Sequence, residues 1–486
     1  MKINRLSILR ISKFFLLLAF LALFFSCFGQ ETSSEIDKKD LKGFIKTLSS
    51  ARFEGRGIDS NGQIKTQEYI IDRYKTLQLE PFSPDGYLEK FSLKQSFWGD
   101  EYIKTKNNRK LWNFDRMVFF GGNPQNEETA CEVVFGGYGT ERELNQIEVE
   151  NRFVLLSLTI PREIFDIQKR LKERNALGMM VFYKDDKYFN QTKRTIKEHH
   201  ALKRYTIHDI DSEIDSVIND MYNMYNIIRI EIPGSEVKNI MGLSKNKLIN
   251  LADMRKINEA PTTEIRYKLE QVNKKVETAN VIGIIRGESE QSIILSAHYD
   301  HIGKDGNQYY PGADDNASGV AAMLELAEAF AQYDKLKYTM VFLATAAEEL
   351  GLLGSLYHVS QPGFDPEQVV CNISIDMISR CDKNRDDCNY LYCFGNNQSE
   401  ALDSLVRKAD ELFTACTFDY SENESGIFAR TDAYNFRKKG VLSILFFSGL
   451  HDDYHKPTDT IDKIDFTLLE NRTKLIFEVI KLLQLF

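Results

Sequence analysis

The chain has 486 residues, 43% apolar and 27% charged, which suits about three domains or fewer and excludes wholesale disorder, collagen and coiled coil. A net charge of −9 leaves no basic surplus for a nucleic-acid partner. Seven Cys are too sparse for a disulfide scaffold, and 28 Gly with 10 Pro are too few for a low-complexity chain.

Residues 1–29 read as an export signal. Lys2, Arg5, Arg10 and Lys13 precede any acid, and residues 14–25 are an unbroken apolar run. That run is short for a membrane span, which needs about 20 apolar residues; an uncleaved anchor is the plainer alternative. Cys27 and Gly29 fit a small-residue cleavage pattern before Gln30, while Phe24-Phe25-Ser26-Cys27 resembles a loose lipobox with Cys27 lipidated. Both predict an exported protein in the periplasm, cell envelope or medium, touching a membrane only through a lipid on Cys27.

Residues 30–109 are expected to be an N-terminal helical part. Tyr69, Ile70, Tyr74 and Leu77 fall near one helix face, and a Gly-rich bend, Phe53-Glu54-Gly55-Arg56-Gly57, lies upstream. Residues 110–264 carry short Val/Ile/Phe/Tyr-rich runs at 132–135, 153–158, 179–183 and 227–232, which read as strands of a β-rich insert separated by polar stretches such as 185–204. His199 and His200 are adjacent and so point apart, which suits a solvated face rather than a metal pair. From 265 to 486 strands (292–297, 338–345, 369–375, 390–394, 441–447) alternate with helices (318–330, from 347, 399–413, 466–486). That alternation predicts an α/β domain with a largely parallel sheet, whose ligands gather beyond the carboxyl ends of the strands. Cys381, Cys388 and Cys393 lack a C-x-x-C spacing; a local disulfide is expected, with free thiols the alternative.

The reactive residue types collect at those strand ends. His298-Tyr299-Asp300-His301 follows the first strand, Asp314-Asp315 precedes the first helix, Glu348-Glu349 follows the second strand, Asp376 ends the third, and His451, Tyr454 and His455 follow the last. An acid before a helix is usually a cap. Several carboxylates converging on one sheet edge, however, would repel and protonate unless a divalent cation joined them. Two imidazoles with three carboxylates suit zinc, and a bridging carboxylate suits a two-metal site.

The stretches A-H-Y-D-H, G-A-D-D-N-A-S-G, E-E-L-G-L-L-G-S, I-D-M-I-S and D-Y-H-K-P-T-D-T, with the Phe53–Gly57 bend upstream, closely resemble the M28 family (clan MH) of zinc aminopeptidases. The resemblance implies an α/β fold with a central mostly parallel mixed sheet flanked by helices, and two zinc ions per chain. It implies His298 and Asp376 on one ion, Glu349 and His455 on the other, and Asp315 as the bridge. Asp300 would orient His298, Glu348 would be the general base, and Tyr454 would steady the oxyanion. The implied substrates are peptides with a free N-terminus. His301 and His451 receive no ligand role. Two departures stand out: Thr431-Asp432-Ala433 where the family often has S-D-H, and Ser379 where Gly is frequent. Residues 110–264 loosely resemble a protease-associated domain, implying a cover over the cleft; a purely structural insertion is the alternative. Rival readings are a glutaminyl cyclase of the same fold, a carboxypeptidase-like or dipeptidase relative, and a non-catalytic receptor or scaffold.

Overall fold

The computed structural model describes residues 36–119, 124–160, 164–200, 204–207, 227–420 and 424–485; the expected export signal and Cys27 lie outside them. The chain divides into two compact units. One gathers residues up to Glu89 with Asn280–Ser355 and Gly363–Phe486; the other is Lys90–Ala279 with Leu356–Pro362.

In the first unit the strands Ser289–His298, Tyr338–Thr345, Val369–Asp376 and Ser443–Phe447 are joined in parallel. Tyr390–Phe394 adds antiparallel beside Ser443–Phe447, and Thr417–Asp419 pairs parallel with it. At the other side the last residues of Thr263–Ile285 pair antiparallel with Tyr338–Thr345. Apolar runs such as Ile293-Ile294-Leu295 are buried on successive residues, as expected of parallel strands covered on both faces. The helix Ala317–Phe330 is buried almost all round. Its small residues, Ala317-Ser318-Gly319 and Ala321-Ala322, permit close approach to the sheet. Side-chain caps start the outer helices: Asp37 accepts from Lys39 N before Lys38–Leu48, Ser60 from Gln63 N before Asn61–Thr76, and Ser399 from Leu402 N before Glu400–Leu412.

In the second unit Gln125–Phe135, Phe153–Leu158, Gly178–Tyr183 and Ile228–Glu231 are parallel neighbours, with the start of Thr263–Ile285 and the short Val118–Phe119 pairing antiparallel at the two sides. Alternate residues feed two cores: Phe153, Leu155, Met180 and Phe182 in one, Val154, Leu156, Met179 and Val181 in the other. Helices Ile164–Glu173 and Lys187–His200 occupy stretches expected to be polar connections, so this unit is α/β as much as β-rich.

Three expectations are corrected. Leu88–Thr105 is an 18-residue strand, not part of a helical segment. Its first residues alternate between buried and exposed sides, with Phe91 and Leu93 inward, and that period of two overrides the helical reading. The second unit begins at Lys90 and ends at Ala279, wider than 110–264, because this strand and the start of Thr263–Ile285 both contribute to it. No helix starts at Ala347: residues 347–352 form turns, Ala347 and Leu352 have positive φ (56° and 61°), and the helix is Leu353–Ser360. Of the cysteines, Cys381 and Cys388 form a disulfide, and Cys393 is a buried free thiol.

Candidate active site

Every residue expected at the site belongs to the first unit, at the carboxyl ends of its parallel strands. His298 is the last residue of Ser289–His298 and Asp376 the last of Val369–Asp376. Asp315 precedes the helix Ala317–Phe330, Glu348 and Glu349 follow Tyr338–Thr345 in the turn, and Tyr454 and His455 follow Ser443–Phe447. The helix start and the third strand are tied by Asn316, whose Oδ1 accepts from Gly319 N and Met377 N and whose Nδ2 donates to Ile375 O. One buried amide thereby sets Asp315 and Asp376 side by side.

Two groups of ligand-type atoms result, His298–Glu348–Asp376 and His301–Asp315–Glu349, each with its atoms within 4.8 Å of one another. His298 Nε2 lies 3.3 Å from Asp376 Oδ1, 3.5 Å from Asp315 Oδ1 and 3.9 Å from Glu348 Oε2. His455 Nε2 lies 2.9 Å from Glu349 Oε2 and 3.2 Å from Asp315 Oδ2. Asp315 therefore presents one oxygen to each imidazole. Asp315 Oδ2 and His455 Nε2 are buried and close, yet neither has a hydrogen-bond partner. Ligand-type atoms that converge this closely without hydrogen-bond geometry between them are what a bound cation requires, so the donor set fits a metal.

The electrostatics point the same way. Burial raises Glu348 well above the usual carboxylate range, with Glu349 and Asp376 adding to it and His298 opposing. Burial likewise raises Asp376, and pushes Asp300 up to about 7. Burial opposes protonation of His455, but Asp315 and Glu349 carry its pKa up to about 10. Without a cation the site holds surplus protons; a divalent ion replaces them.

Asp300 acts differently from the expectation. His298 Nδ1 donates to the backbone carbonyl of Asp300 at 3.2 Å, whereas the nearest carboxylate oxygen is 3.9 Å away. That carboxylate instead accepts from the amides of Glu348 (3.1 Å) and Glu349 (3.4 Å). The carboxylate is engaged by the two amides of the turn, which leaves the carbonyl to the ring. Either way Nδ1 carries the proton and Nε2 faces the carboxylates.

Tyr454 stacks on His455 with ring centroids 3.8 Å apart, and its oxygen accepts from Arg430 Nη2 at 3.3 Å. Burial holds its hydroxyl protonated. Arg430 can only donate, so the phenolic hydrogen is free for another acceptor. Tyr454 shares a cavity with the ligand set and the apolar side chains Met377, Ile427, Phe447 and Leu450.

Sequence reasoning missed several contributors. His301 Nδ1 is 2.8 Å from Glu349 Oε1, and its ring is buried; its place in H-Y-D-H was the available signal. Asp459 accepts from the amides of Asp314 and Asp315 at 3.0 and 3.1 Å. Ser379 donates its amide and its hydroxyl to Asp314 Oδ1, giving that departure a role in fixing the loop. Asp432 is buried and accepts from Thr345 Oγ1, while Ala433 is buried where the absent imidazole would stand.

Residues 280–480 match the family described as Peptidase family M28. A probable leucine aminopeptidase of Arthroderma otae is 29% identical over 222 residues, 43% of this chain and 58% of that protein. Aminopeptidase YwaD of Bacillus subtilis is 27% identical over 218 residues, 42% of this chain and 45% of that one. The chain thus spans less than two thirds of these relatives. Among solved structures, an aminopeptidase from Aneurinibacillus sp. strain AM-1 superposes with a TM-score of 0.52 at 18% identity, covering 92% of this chain and 93% of that one. BSAP, a zinc aminopeptidase from Bacillus subtilis, gives 0.51 at 18% identity, covering 92% and 94%. At that identity the superpositions speak for the fold, a mostly parallel sheet flanked by helices. The family match and the strand-end residues agree with each other: residues 280–480 of this chain are similar to peptidase family M28.

Proposed function

We propose that this protein is an exported aminopeptidase that holds two zinc ions and removes N-terminal residues from peptides. One observation carries the reading: two groups of ligand-type atoms lie at the ends of parallel strands, and Asp315 reaches an imidazole in both directions. In this reading His298 and Asp376 would hold one ion and Glu349 and His455 the other, with Asp315 available to both. Bound there, zinc supplies Lewis acidity toward a peptide carbonyl and a water acidic enough to lose its proton near neutral pH.

The chain's own residues do the rest. Glu348, next in sequence to a ligand but aimed toward His298, takes the proton from the attacking water and returns it to the leaving amine. Tyr454, its oxygen already occupied by Arg430, turns its hydrogen to the carbonyl oxygen as negative charge develops there. Carboxylates around the cavity receive the α-ammonium of the substrate, which restricts cleavage to free N-termini. Met377, Ile427, Phe447 and Leu450 favour an apolar N-terminal side chain and exclude water.

Export is supported by the basic start and apolar run of residues 1–29, and by the Cys381–Cys388 disulfide, which suits an oxidising compartment. Mass analysis of the mature N-terminus separates a lipid on Cys27 from cleavage before Gln30. The function is tested by metal analysis and a substrate panel. About two zinc ions per chain, release of the free N-terminal amino acid, and no cleavage after N-acetylation are expected. Cyclisation of an N-terminal Gln without hydrolysis would move the protein to the cyclase reading.

A further inference from the structure

The Gly-rich bend at residues 53–57 contributes no atom to either ligand group, yet its Arg56 is 1% exposed. All five N–H groups of its guanidinium end on backbone carbonyls. Nε donates to Tyr299 O at 2.9 Å, Nη1 to Leu48 O at 3.0 Å and Pro311 O at 2.6 Å, and Nη2 to Gly312 O at 2.9 Å and Asp315 O at 3.2 Å. A guanidinium offers five donors in one rigid plane, so these carbonyls are held to a common template. Tyr299 lies between His298 and Asp300, and the last of the five belongs to Asp315 itself.

The bend reaches this position because two glycines leave room. A Cβ on Gly55 would stand 2.4 Å from Gly303 O, and one on Gly57 would stand 2.7 Å from Gly303 Cα. Gly303 N donates to Gly55 O at 3.0 Å, closing the contact. No carboxylate within 4.0 Å neutralises Arg56 among the described residues. Burial lowers its pKa only to about 10, because Asp315, Asp459, Asp300 and Glu349 oppose the loss of charge. A cation that costs this much to bury sits where its field falls on the carboxylates of the centre.

We propose that Arg56 is a positioning residue of the metal centre. It fixes the backbone at Tyr299, next to His298, and at Asp315, and so sets the spacing of the two ligand groups. The inference rests on reading those residues as zinc ligands. The alternative is that Arg56 only pins residues 48–57 to the fold.

Arg56→Lys separates the two, because it keeps the charge but has three donors on a tetrahedral head. Zinc affinity is measured by competition with a chelator, and thermal unfolding is followed for the metal-free and zinc-loaded forms. Affinity should fall by roughly 10–100-fold, the scale of losing a group that orients ligands. The gap in Tm between loaded and metal-free protein should narrow accordingly, and kcat should fall with KM little changed. Wild-type affinity with an equal drop in Tm for both forms would overturn the proposal in favour of the pin. Gly57→Ala is the second variant. It retains Arg56, and its φ of −62° accepts alanine, but the added Cβ meets Gly303. A smaller loss of zinc affinity is expected, and an unchanged affinity overturns the proposal. Wild-type protein that binds no zinc would sink the reading of the centre instead.

Discussion

Both units bury carboxylates beside parallel strands, and they satisfy them in opposite ways. In the second unit Glu236, 2% exposed, receives Arg109 at 2.8 Å and Arg116 at 2.7 Å, and Glu231 receives Arg229 at 2.5 Å and the Tyr183 hydroxyl at 2.8 Å. Burial pushes Glu236 up, but Arg116, Asn239 and Arg109 win and hold it below the usual range. In the first unit Asp315, Glu348, Glu349 and Asp376 face imidazoles and one another. Buried acids with permanent cationic partners are a structural solution; buried acids that converge without them are a donor set suited to a cation. Burial of acids alone therefore does not mark a site. The identity of the neighbours does.

The comparison breaks most visibly at Asp315. Asp315→Ala should cost both zinc ions and with them activity, read by metal analysis, whereas Glu236→Ala should lower Tm and leave zinc content intact. Full metal content in the Asp315 variant would remove the bridge from the account. Next in size is Glu348→Gln, which keeps shape but cannot accept a proton. It should retain both ions and turn over at least about 10²-fold slower. Glu349→Gln should instead weaken one metal site, with added zinc partly restoring activity; exchanged behaviour of the two variants would put the base one residue out.

Tyr454→Phe should lower kcat by roughly 10²–10³ with metal content unchanged, the scale of removing one oxyanion donor. A change confined to KM would make the ring a wall of the cavity. The smallest effect concerns Glu325, a buried acid with neither Arg nor imidazole. Burial pushes it up to about 7, with the Asp37 amide opposing at 2.6 Å. A carboxylate raised in the folded state holds a proton that the unfolded chain has lost, so stability falls as pH rises from about 4.3 towards 7. Glu325→Gln should flatten the decline of Tm with pH across that window. An identical slope in both proteins would show that another group carries it.

Much of the first unit was legible before any coordinates. The strands Tyr338–Thr345 and Tyr390–Phe394 run to the residue as their apolar runs suggest, since a buried strand in a parallel sheet is continuous in sequence. His298, Asp315, Glu348, Glu349, Asp376, Tyr454 and His455 stood out because each follows a strand or precedes a helix, and parallel connectivity brings such ends to one edge. What the sequence alone determined is thus the chemistry-bearing residues and the alternation that gathers them. Only the tertiary structure decided the rest. The turn that carries Glu348 and Glu349 depends on the Asp300 carboxylate 48 residues earlier. Arg56 binds carbonyls more than 240 positions away, and Asp459 holds amides 144 and 145 residues upstream. The strand at Leu88–Thr105 pairs with Thr263–Ile285, Arg204–Ile207 and Lys110–Trp112, partners that its own alternation does not name. Local periodicity reports which face of an element is buried, but the partner of a buried polar group is set by chain closure over long separations, and no local pattern encodes it.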